Sequence, residues 1–197
     1  MADKPENSCD NKQKSEIRQM PQLWLRKMIT MIDAWDLDKD GYVGYDDVMN
    51  IAYKFIQVGK FDGNSADNVI EFYRRGLKHS SDNPFEEIVK STSMSDQLVA
   101  IWRTKDNPSA LKLICKMYSD MFKALDRNAT GFLTFDQYLV FWNTFNLDKR
   151  FAKMQFDYMD TDLDGKISEE EFVNAYLDYR KKEDDKLNRF FGPLLKY

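Results

Sequence analysis

The sequence predicts an all-α fold in which four helix–loop–helix units form two pairs within one compact globule. Apolar residues recur at helical spacing from Pro21 onward, and the chain has only 8 Gly and 5 Pro among its 197 residues. A sustained alternation of apolar and polar residues, which would indicate strands, is not present. A loop template that recurs three times between predicted helices completes the argument for repeated units.

The composition predicts one compact domain or two small lobes. Hydrophobic residues make up 43% of the chain and aromatic residues 14%, which is ample material for a core. The formal net charge is −4 and no long basic run occurs, so nucleic acid is not expected as the main partner. No stretch reaches the roughly 20 apolar residues of a membrane span. We also expect a monomer, because no apolar seam demands a second subunit.

The chain divides into a polar start and two halves. Residues 1–19 are predicted to form a mobile tail, because their few apolar side chains cannot offset the entropy cost of ordering. Residues 20–107 should contain the first pair of units, and residues 108–197 the second pair with a C-terminal segment. Cys9 and Cys115 suggest neither a disulfide framework nor a metal cluster, and no signal peptide is recognised, so a cytoplasmic protein is expected.

The first predicted helix begins near Pro21, a residue suited to a first helical turn. Its apolar stripe consists of Leu23, Trp24, Met28, Met31, Ile32 and Trp35. The helix leads into the first of three loops that share one template. These loops begin Asp36-Leu37-Asp38-Lys39-Asp40-Gly41, Asp126-Arg127-Asn128-Ala129-Thr130-Gly131 and Asp160-Thr161-Asp162-Leu163-Asp164-Gly165. Each has oxygen-bearing side chains at positions 1, 3 and 5 and glycine at position 6.

This spacing is typical of a calcium site. Ca²⁺ takes six to eight oxygen ligands, and a twelve-residue loop supplies them from positions 1, 3 and 5, a carbonyl at 7, a side chain or water at 9 and an acid at 12. Glycine at position 6 permits the sharp turn. The helix–loop–helix unit built on this loop is the EF-hand. Paired EF-hands join through a short two-stranded contact at position 8, here between Leu133 and Ile167.

Loop 160–171 matches every position of the template. Its predicted ligands are Asp160, Asp162, Asp164, the Lys166 carbonyl, Ser168 and Glu171. A solvated turn between two helices is the alternative, but it does not account for so many coincident positions inside suitable flanking helices. The sequence therefore predicts a calcium site in this loop.

Loop 36–47 departs from the template only at its end. Its predicted ligands are Asp36, Asp38, Asp40, the Tyr42 carbonyl and Asp47, with a water standing in at Gly44. Asp47 is one methylene shorter than glutamate, so it reaches an ion less easily with both oxygens. This lowers the coordination number toward the six ligands that Mg²⁺ prefers. We predict that this loop binds an ion with a weakened preference for Ca²⁺.

Loop 126–137 keeps the spacing but loses the charge. Its candidate ligands are Asp126, Asn128, Thr130, the Phe132 carbonyl, Thr134 and Gln137, of which only Asp126 is an acid. Because the number of charged ligands tunes affinity over orders of magnitude, binding here is expected to be weak or lost. The loop is then retained as the structural partner of loop 160–171.

Loop 36–47 needs a partner hand as well. The most suitable remnant is the turn His79-Ser80-Ser81-Asp82-Asn83-Pro84, between a predicted helix near residues 66–77 and another after Phe85. This turn lacks the acidic template, and Pro84 removes an N–H from it. A metal-free second hand is therefore expected.

At this point the sequence resembles the invertebrate sarcoplasmic calcium-binding proteins, with calexcitin and the coelenterazine-binding proteins as cousins. The resemblance covers about residues 20–197. It is carried by Leu23-Trp24-Leu25-Arg26-Lys27-Met28, the degenerate second hand, the three loop starts and the ending Phe190-Phe191-Gly192-Pro193-Leu194. It implies two hand pairs packed face to face around an aromatic core, with Phe190, Phe191, Leu194 and Leu195 tucked against it. The neutral third loop departs from the three-site pattern common in the family.

The resemblance implies a cytosolic buffer for Ca²⁺ and Mg²⁺, in which Mg²⁺ must leave the acidic loops before Ca²⁺ enters. One alternative is a calexcitin-type sensor that exposes an apolar surface to a protein partner, which the sequence does not identify. A second is a binder of an apolar, luciferin-type ligand. An enzyme is not expected, because no phosphate-binding loop, Ser-His-Asp set or Cys-His pair is found.

Overall fold

The computed structural model describes residues 13, 15–77, 84–181 and 188–196. From Gln22 onward these residues form helices α1 (Gln22–Trp35), α2 (Tyr45–Gly59), α3 (Gly63–Gly76), α4 (Pro84–Lys90), α5 (Met94–Arg103), α6 (Pro108–Leu125), α7 (Phe135–Thr144), α8 (Ala152–Met159) and α9 (Glu169–Lys181). A short 3₁₀ helix spans Lys149–Phe151, and the strands are β1 (Phe132–Leu133) and β2 (Ile167–Ser168). The predicted all-α class with a small strand contact is confirmed.

Each of the three acidic-template loops lies between two helices, as the repeat predicts. Loop 36–47 joins α1 to α2, loop 126–137 joins α6 to α7, and loop 160–171 joins α8 to α9. In the second hand, α3 is followed by α4 and α5. The turn predicted around residues 79–84 lies outside the described residues except for Pro84, at which α4 begins.

Several helices begin at the capping residues that their sequences provide. The Asn107 side chain accepts hydrogen bonds from the backbone N–H groups of Ser109 and Ala110, at 2.9 and 3.1 Å, with Pro108 in the first helical turn of α6. Ser93 caps α5 by accepting a hydrogen bond from the Asp96 N–H. These caps satisfy amide groups that the first turn of a helix leaves without a partner.

The predicted polar tail ends earlier than residue 19. Residues 15–19 are helical, the Arg103 guanidinium contacts the Glu16 carboxylate at 2.9 Å, and Met20 is buried. Ile17 packs against the core. The prediction of a mobile tail rested on the polar composition of residues 1–19. Ile17 and Met20 nevertheless supply enough apolar contact to hold the last residues of this segment on the globule. Residues 1–12 and 14 lie outside the described residues.

Strands β1 and β2 pair in the predicted register. They are antiparallel, with Leu133 opposite Ile167 and Phe132 opposite Ser168. Both position-8 residues are fully buried. Because this contact ties loop 126–137 to loop 160–171, the second pair of hands has the architecture that the repeat predicts.

The core is rich in aromatic rings and includes the C-terminal segment. Phe190 and Phe191 are buried there, and their rings contact a set of neighbours from α6, α7 and its C-terminal end, and α9: Tyr118, Phe141, Phe145, Phe172, Tyr176 and Tyr179. Farther along, the Leu195 N–H donates to the Thr30 hydroxyl at 3.1 Å. Residues 188–196 therefore lie on the globule, as the resemblance implies.

The two halves pack on each other directly. Helix α1 contacts α9, α2 contacts α7, and α3 contacts α6. The Trp24 indole N–H donates to the Arg180 carbonyl at 2.9 Å, which joins α1 to α9. Within the part of the chain that the structure describes, no helix is both long enough and apolar enough to span a bilayer.

Candidate metal sites

All three loops share one backbone conformation. Position 4 has a positive φ in each loop although it is not glycine: Lys39 at 63°, Ala129 at 50° and Leu163 at 61°. Position 6 is glycine with φ of 99°, 82° and 81° at Gly41, Gly131 and Gly165. Most residues with a side chain disfavour left-handed conformations. The recurrence of these conformations at equal positions therefore shows that the three loops wind in the same way. Loop 126–137 keeps this winding despite its neutral side chains.

Loop 36–47 brings its four aspartates together. Oxygen atoms of Asp36, Asp38, Asp40 and Asp47 all lie within 4.8 Å of one another. Asp36 and Asp47 are buried, with exposures of 3% and 2%. A group of carboxylates at this distance repels itself unless a cation compensates the charge.

One oxygen of this group is left without a partner. Asp36 Oδ2 accepts a hydrogen bond from the Gly41 N–H at 2.9 Å, whereas Asp36 Oδ1 is buried and has no hydrogen-bond partner among the described residues. Burying a charged oxygen without a partner is costly. The carboxylates of this loop therefore fit a hard divalent cation, which would satisfy the orphan oxygen.

The end of loop 36–47 is held by its own amides. Asp47 Oδ1 accepts from the Leu37 N–H at 2.8 Å, and Asp47 Oδ2 accepts from the Gly44 N–H at 2.8 Å. The second bond is the half of a capping box that Asp47 supplies at the start of α2, since Gly44 has no side chain for the other half. At position 7, the Tyr42 N–H donates to Asp40 Oδ1 at 3.2 Å, which closes the turn before the predicted carbonyl ligand.

Loop 160–171 groups three of its predicted acids. Oxygens of Asp160, Asp162 and Asp164 lie within 4.8 Å of one another. Asp160 Oδ2 accepts from the Gly165 N–H at 2.9 Å, as Asp36 does from Gly41 in loop 36–47. The Lys166 N–H donates to Asp164 Oδ1 at 2.8 Å.

Glu171 is held at the rim of this loop rather than within the acidic group. Its Oε1 accepts from the N–H and hydroxyl of Thr161, and its Oε2 from the N–H and hydroxyl of Ser168, at 2.7 to 2.8 Å. Partial burial acts to raise the pKa of Glu171, but these bonds from Ser168 and Thr161 outweigh it and lower the pKa to about 2. The carboxylate is ionised at neutral pH and adjoins the predicted site.

Loop 126–137 closes on its own hydrogen bonds. Asp126 Oδ1 and Oδ2 accept from the amides of Thr130 and Gly131, at 3.1 and 2.7 Å. The Thr130 hydroxyl lies 3.0 Å from both Asp126 Oδ1 and the Phe132 carbonyl oxygen, which are the predicted ligands at positions 1 and 7. Gln137 Oε1 accepts from the Thr134 N–H at 2.9 Å, in the pattern of a capping box. Asn128 is exposed.

The three loops differ in whether their acids form a close group. Within residues 13, 15–77, 84–181 and 188–196, close groups of at least three acids, histidines or cysteines occur in loops 36–47 and 160–171. At the ligand positions of loop 126–137, Asp126 is the only acid. A neutral hydroxyl and an amide replace the acids there, so this loop offers an ion far less electrostatic attraction.

Sequence reasoning missed Gln97, on α5 of the second hand. Its side chain is fully buried, accepts from the Val43 N–H at 3.0 Å and donates to the Val43 carbonyl at 2.8 Å. The strand contact predicted for the first pair is thus replaced, within the described residues, by a side chain. No residue pattern singles out Gln97. The only hint in the sequence is that loop 36–47, which contains Val43, has no second acidic loop to pair with.

Comparison with known proteins identifies the family. A family model described as an EF-hand domain pair matches residues 119–177. The sarcoplasmic calcium-binding protein of Hediste diversicolor is 31% identical over 177 residues, which cover 88% of this chain and 99% of that protein. The chain belongs to the sarcoplasmic calcium-binding protein family. As a member it is a calcium-binding EF-hand protein, which confirms the resemblance drawn from the loops and the chain ending.

Solved structures support the same fold for this chain. The Ca²⁺-loaded apo form of coelenterazine-binding protein from Renilla muelleri matches with a TM-score of 0.66 at 20% identity, covering 87% of this chain and 96% of that one. Mg²⁺-loaded apo-berovin, a ctenophore photoprotein with three ion-binding loops, matches with a TM-score of 0.61 at 20% identity, covering 83% and 89%. Of these two neighbours, one is thus loaded with Ca²⁺ and the other with Mg²⁺.

Proposed function

We propose that the protein is a cytoplasmic buffer for Ca²⁺ and Mg²⁺ with two ion sites, in loops 36–47 and 160–171. The observation that carries the proposal is the acidic group of loop 36–47, in which Asp36 and Asp47 are buried and Asp36 Oδ1 has no hydrogen-bond partner within the described chain. Loop 160–171 groups its aspartates at positions 1, 3 and 5 in the same way. Loop 126–137 is proposed as a structural partner with weak or no binding, and the second hand as free of metal.

The proposed ligands follow the loop template. In the first site they are Asp36, Asp38, Asp40, the Tyr42 carbonyl and Asp47, and in the second Asp160, Asp162, Asp164, the Lys166 carbonyl and Glu171. These residues would hold the ion, whose charge would compensate that of the carboxylates. Glu171 would exchange hydrogen bonds from Thr161 and Ser168 for the ion.

Competition by Mg²⁺ follows from the short acid at position 12 of loop 36–47. Asp47 is held by two loop amides and lacks the reach of glutamate, which favours a site with fewer oxygens. Mg²⁺ requires six ligands and releases its water slowly. In resting cytoplasm Mg²⁺ would occupy this site, and Ca²⁺ would enter only as Mg²⁺ leaves, which delays the uptake of a calcium transient.

A filled interior favours buffering over sensing. A sensor hand opens a methionine-rich groove for a partner helix. Here Phe190 and Phe191 of the chain's own C-terminal segment lie among the core rings. The methionines are largely core residues as well, since Met28, Met121 and Met159 are at most 1% exposed. No free apolar groove is needed to explain them.

The interior also disfavours storage of a luciferin-type ligand. The apolar cavity near Tyr118 and Tyr176 has a volume of about 50 Å³. Pockets for drug-sized ligands usually measure about 300–1,000 Å³. The cavity is therefore too small for such a ligand unless core side chains move.

Calorimetric titration tests the proposal. Ca²⁺ is titrated into chelator-treated protein with and without millimolar Mg²⁺, while a dye that reports exposed apolar surface is followed in parallel. Two Ca²⁺ sites, weakened by Mg²⁺ and without strong dye brightening, would support the buffer. Strong brightening with Ca²⁺ but not with Mg²⁺ would favour the sensor. A third site that disappears in Asp126→Ala would refute the weak role given to loop 126–137.

A further inference from the structure

Val43 stands at position 8 of loop 36–47, where other hands have a strand partner. In the second pair, Leu133 pairs with Ile167 across the sheet. Opposite Val43 the described residues contain no strand. Both backbone groups of Val43 are instead bonded to the Gln97 side chain, at 3.0 Å for the N–H and 2.8 Å for the carbonyl. A carboxamide has one acceptor and one donor group, which matches the pair of bonds that a strand offers.

These bonds set the direction of two peptides. One carries the Tyr42 carbonyl, a predicted ligand, and the other carries the Gly44 N–H, which holds the predicted ligand Asp47. The Val43 N–H shares a planar trans peptide with the Tyr42 carbonyl, so the two groups point in opposite directions. When the N–H faces Gln97, the Tyr42 carbonyl faces away from it, as a position-7 ligand requires. The Val43 carbonyl likewise shares a peptide with the Gly44 N–H, which donates to Asp47 Oδ2 at 2.8 Å.

We infer that Gln97 is a positioning residue for the ion site of loop 36–47, where its side chain replaces a partner strand and orients the Tyr42 carbonyl and Asp47. The inference rests on the proposed function, because it requires an ion in this loop. It also gives the second hand a task. Gln97 belongs to α5, and its Nε2 donates to the Ile88 carbonyl of α4 at 2.8 Å, so a hand whose sequence lacks the acidic template holds the loop of its neighbour.

Burial makes these bonds difficult to replace. Gln97 is 0% exposed and Val43 is 5% exposed, so water cannot easily reach either group. Loss of the carboxamide would leave a buried N–H and a buried carbonyl unpaired. Loop 36–47 is also sensitive to such a loss, because it has glycine at position 9 and the shorter acid at position 12 and therefore depends more on the Tyr42 carbonyl.

The test uses Gln97→Met, which keeps the volume of the side chain but removes its hydrogen bonds. It is made in the full-length chain carrying Glu171→Gln, so that loop 36–47 is the remaining acidic site. We expect Ca²⁺ to bind about tenfold more weakly or worse, which corresponds to the loss of one buried hydrogen bond or more. The change in the carbonyl ¹³C shift of Tyr42 on Ca²⁺ addition should shrink. In the metal-free protein, the Val43 amide should exchange faster with solvent.

The matched control is Gln155→Met in the same background. Gln155 is also a fully buried glutamine, but its carboxamide bonds to Asn188 and the Arg189 N–H near the chain end. This variant should lose stability without weakening loop 36–47. Gln97→Glu is a second variant, and it should keep the Val43 amide protected because it retains an acceptor. It also keeps the test decisive if Gln97→Met does not fold.

Three results would overturn the inference. Unchanged Ca²⁺ affinity in Gln97→Met would show that Gln97 does not position the site. Equal weakening in Gln155→Met would show a general effect of stability. Rapid Val43 exchange in Gln97→Glu would remove the role of the side-chain acceptor. A Glu171→Gln protein that binds no Ca²⁺ would refute the site in loop 36–47 itself, and with it the proposed function, before Gln97 is varied.

Discussion

At the scale of residues, the two acidic loops differ in how far their last carboxylate reaches. Asp47 is held by the amides of Leu37 and Gly44, which leaves its short side chain little freedom. Glu171 is one methylene longer and is held by Thr161 and Ser168, with its pKa lowered to about 2. Since glutamate at position 12 supplies two oxygens to Ca²⁺, this one difference should set ion preference.

Asp47→Glu should increase the preference of loop 36–47 for Ca²⁺ over Mg²⁺. The longer side chain can reach an ion with both oxygens and raise the coordination number above the six that Mg²⁺ accepts. Calorimetric titration with Ca²⁺, with and without Mg²⁺, should show smaller competition at one site. Asp46→Glu is the control, because it adds the same methylene at an exposed neighbour. Unaltered competition in Asp47→Glu would contradict the explanation.

Glu171→Gln should abolish or weaken one Ca²⁺ site by at least about tenfold, because a neutral amide replaces the charged ligand at position 12. Calorimetric titration with Ca²⁺ measures this loss of affinity. Glu170→Gln removes an equal charge from the exposed neighbouring residue and should leave both sites intact. If the two variants lost affinity equally, the effect would come from net charge rather than from coordination.

At the scale of elements, loop 126–137 has the backbone winding of the acidic loops without their charged ligands. Ala129 and Gly131 have the same left-handed conformation as their counterparts in the acidic loops. The Thr130 hydroxyl lies between the Asp126 carboxylate and the Phe132 carbonyl. The pairing of β1 with β2 ties this loop to loop 160–171. The loop is therefore wound for an ion and lacks only the charge.

The double variant Thr130→Asp with Gln137→Glu should add a Ca²⁺ site. It places acids at positions 5 and 12 of a loop whose backbone already has the required turns. Titration should give one more bound ion than the parent protein. The control, Asn50→Asp with Gln57→Glu, adds the same two charges at exposed positions of α2 and should leave the stoichiometry unchanged. A double variant with the parent's stoichiometry would show that the winding alone is insufficient.

At the scale of the whole molecule, the aromatic interior joins the two halves and the chain end. Phe190 is fully buried and its ring contacts Tyr118 of α6, Phe141 of α7 and Phe172 of α9. Aromatic pairs of this kind add to the free energy gained by burial. The segment thereby fills part of the aromatic interior between the helices.

Phe190→Ala should lower the free energy of unfolding by about 3–5 kcal/mol, because it empties a packed aromatic site. Urea unfolding of the Ca²⁺-saturated protein measures the change. Binding of an apolar dye should rise at the same time, since the C-terminal segment loses its anchor. Leu113→Ala removes a side chain that is 39% exposed and should cost far less. A small effect of Phe190→Ala would mean that the segment does not close the core.

Sequence patterns predicted most of the helices and the register of the second hand pair. Helical periodicity and the loop template depend on local spacing, which is why Leu133 and Ile167 were paired correctly. The placement of residues 15–19 was not predicted, because their contact with Arg103 lies far along the chain. The turn around residues 79–83 lies outside the described residues, so the form of the second loop stays a prediction.

Some features of the candidate sites were likewise predictable from the sequence, and others depended on packing. Residue type and spacing alone predicted the acidic loops and the ions that suit them, because coordination by Asp and Glu is a matter of local chemistry. The resemblance of longer segments predicted the family. Tertiary structure decided that Asp36 Oδ1 is buried without a hydrogen-bond partner among the described residues, which rings of the interior Phe190 contacts, and that Gln97 bonds to Val43. Burial and contacts between distant residues depend on how the helices pack, and local spacing carries no record of that packing.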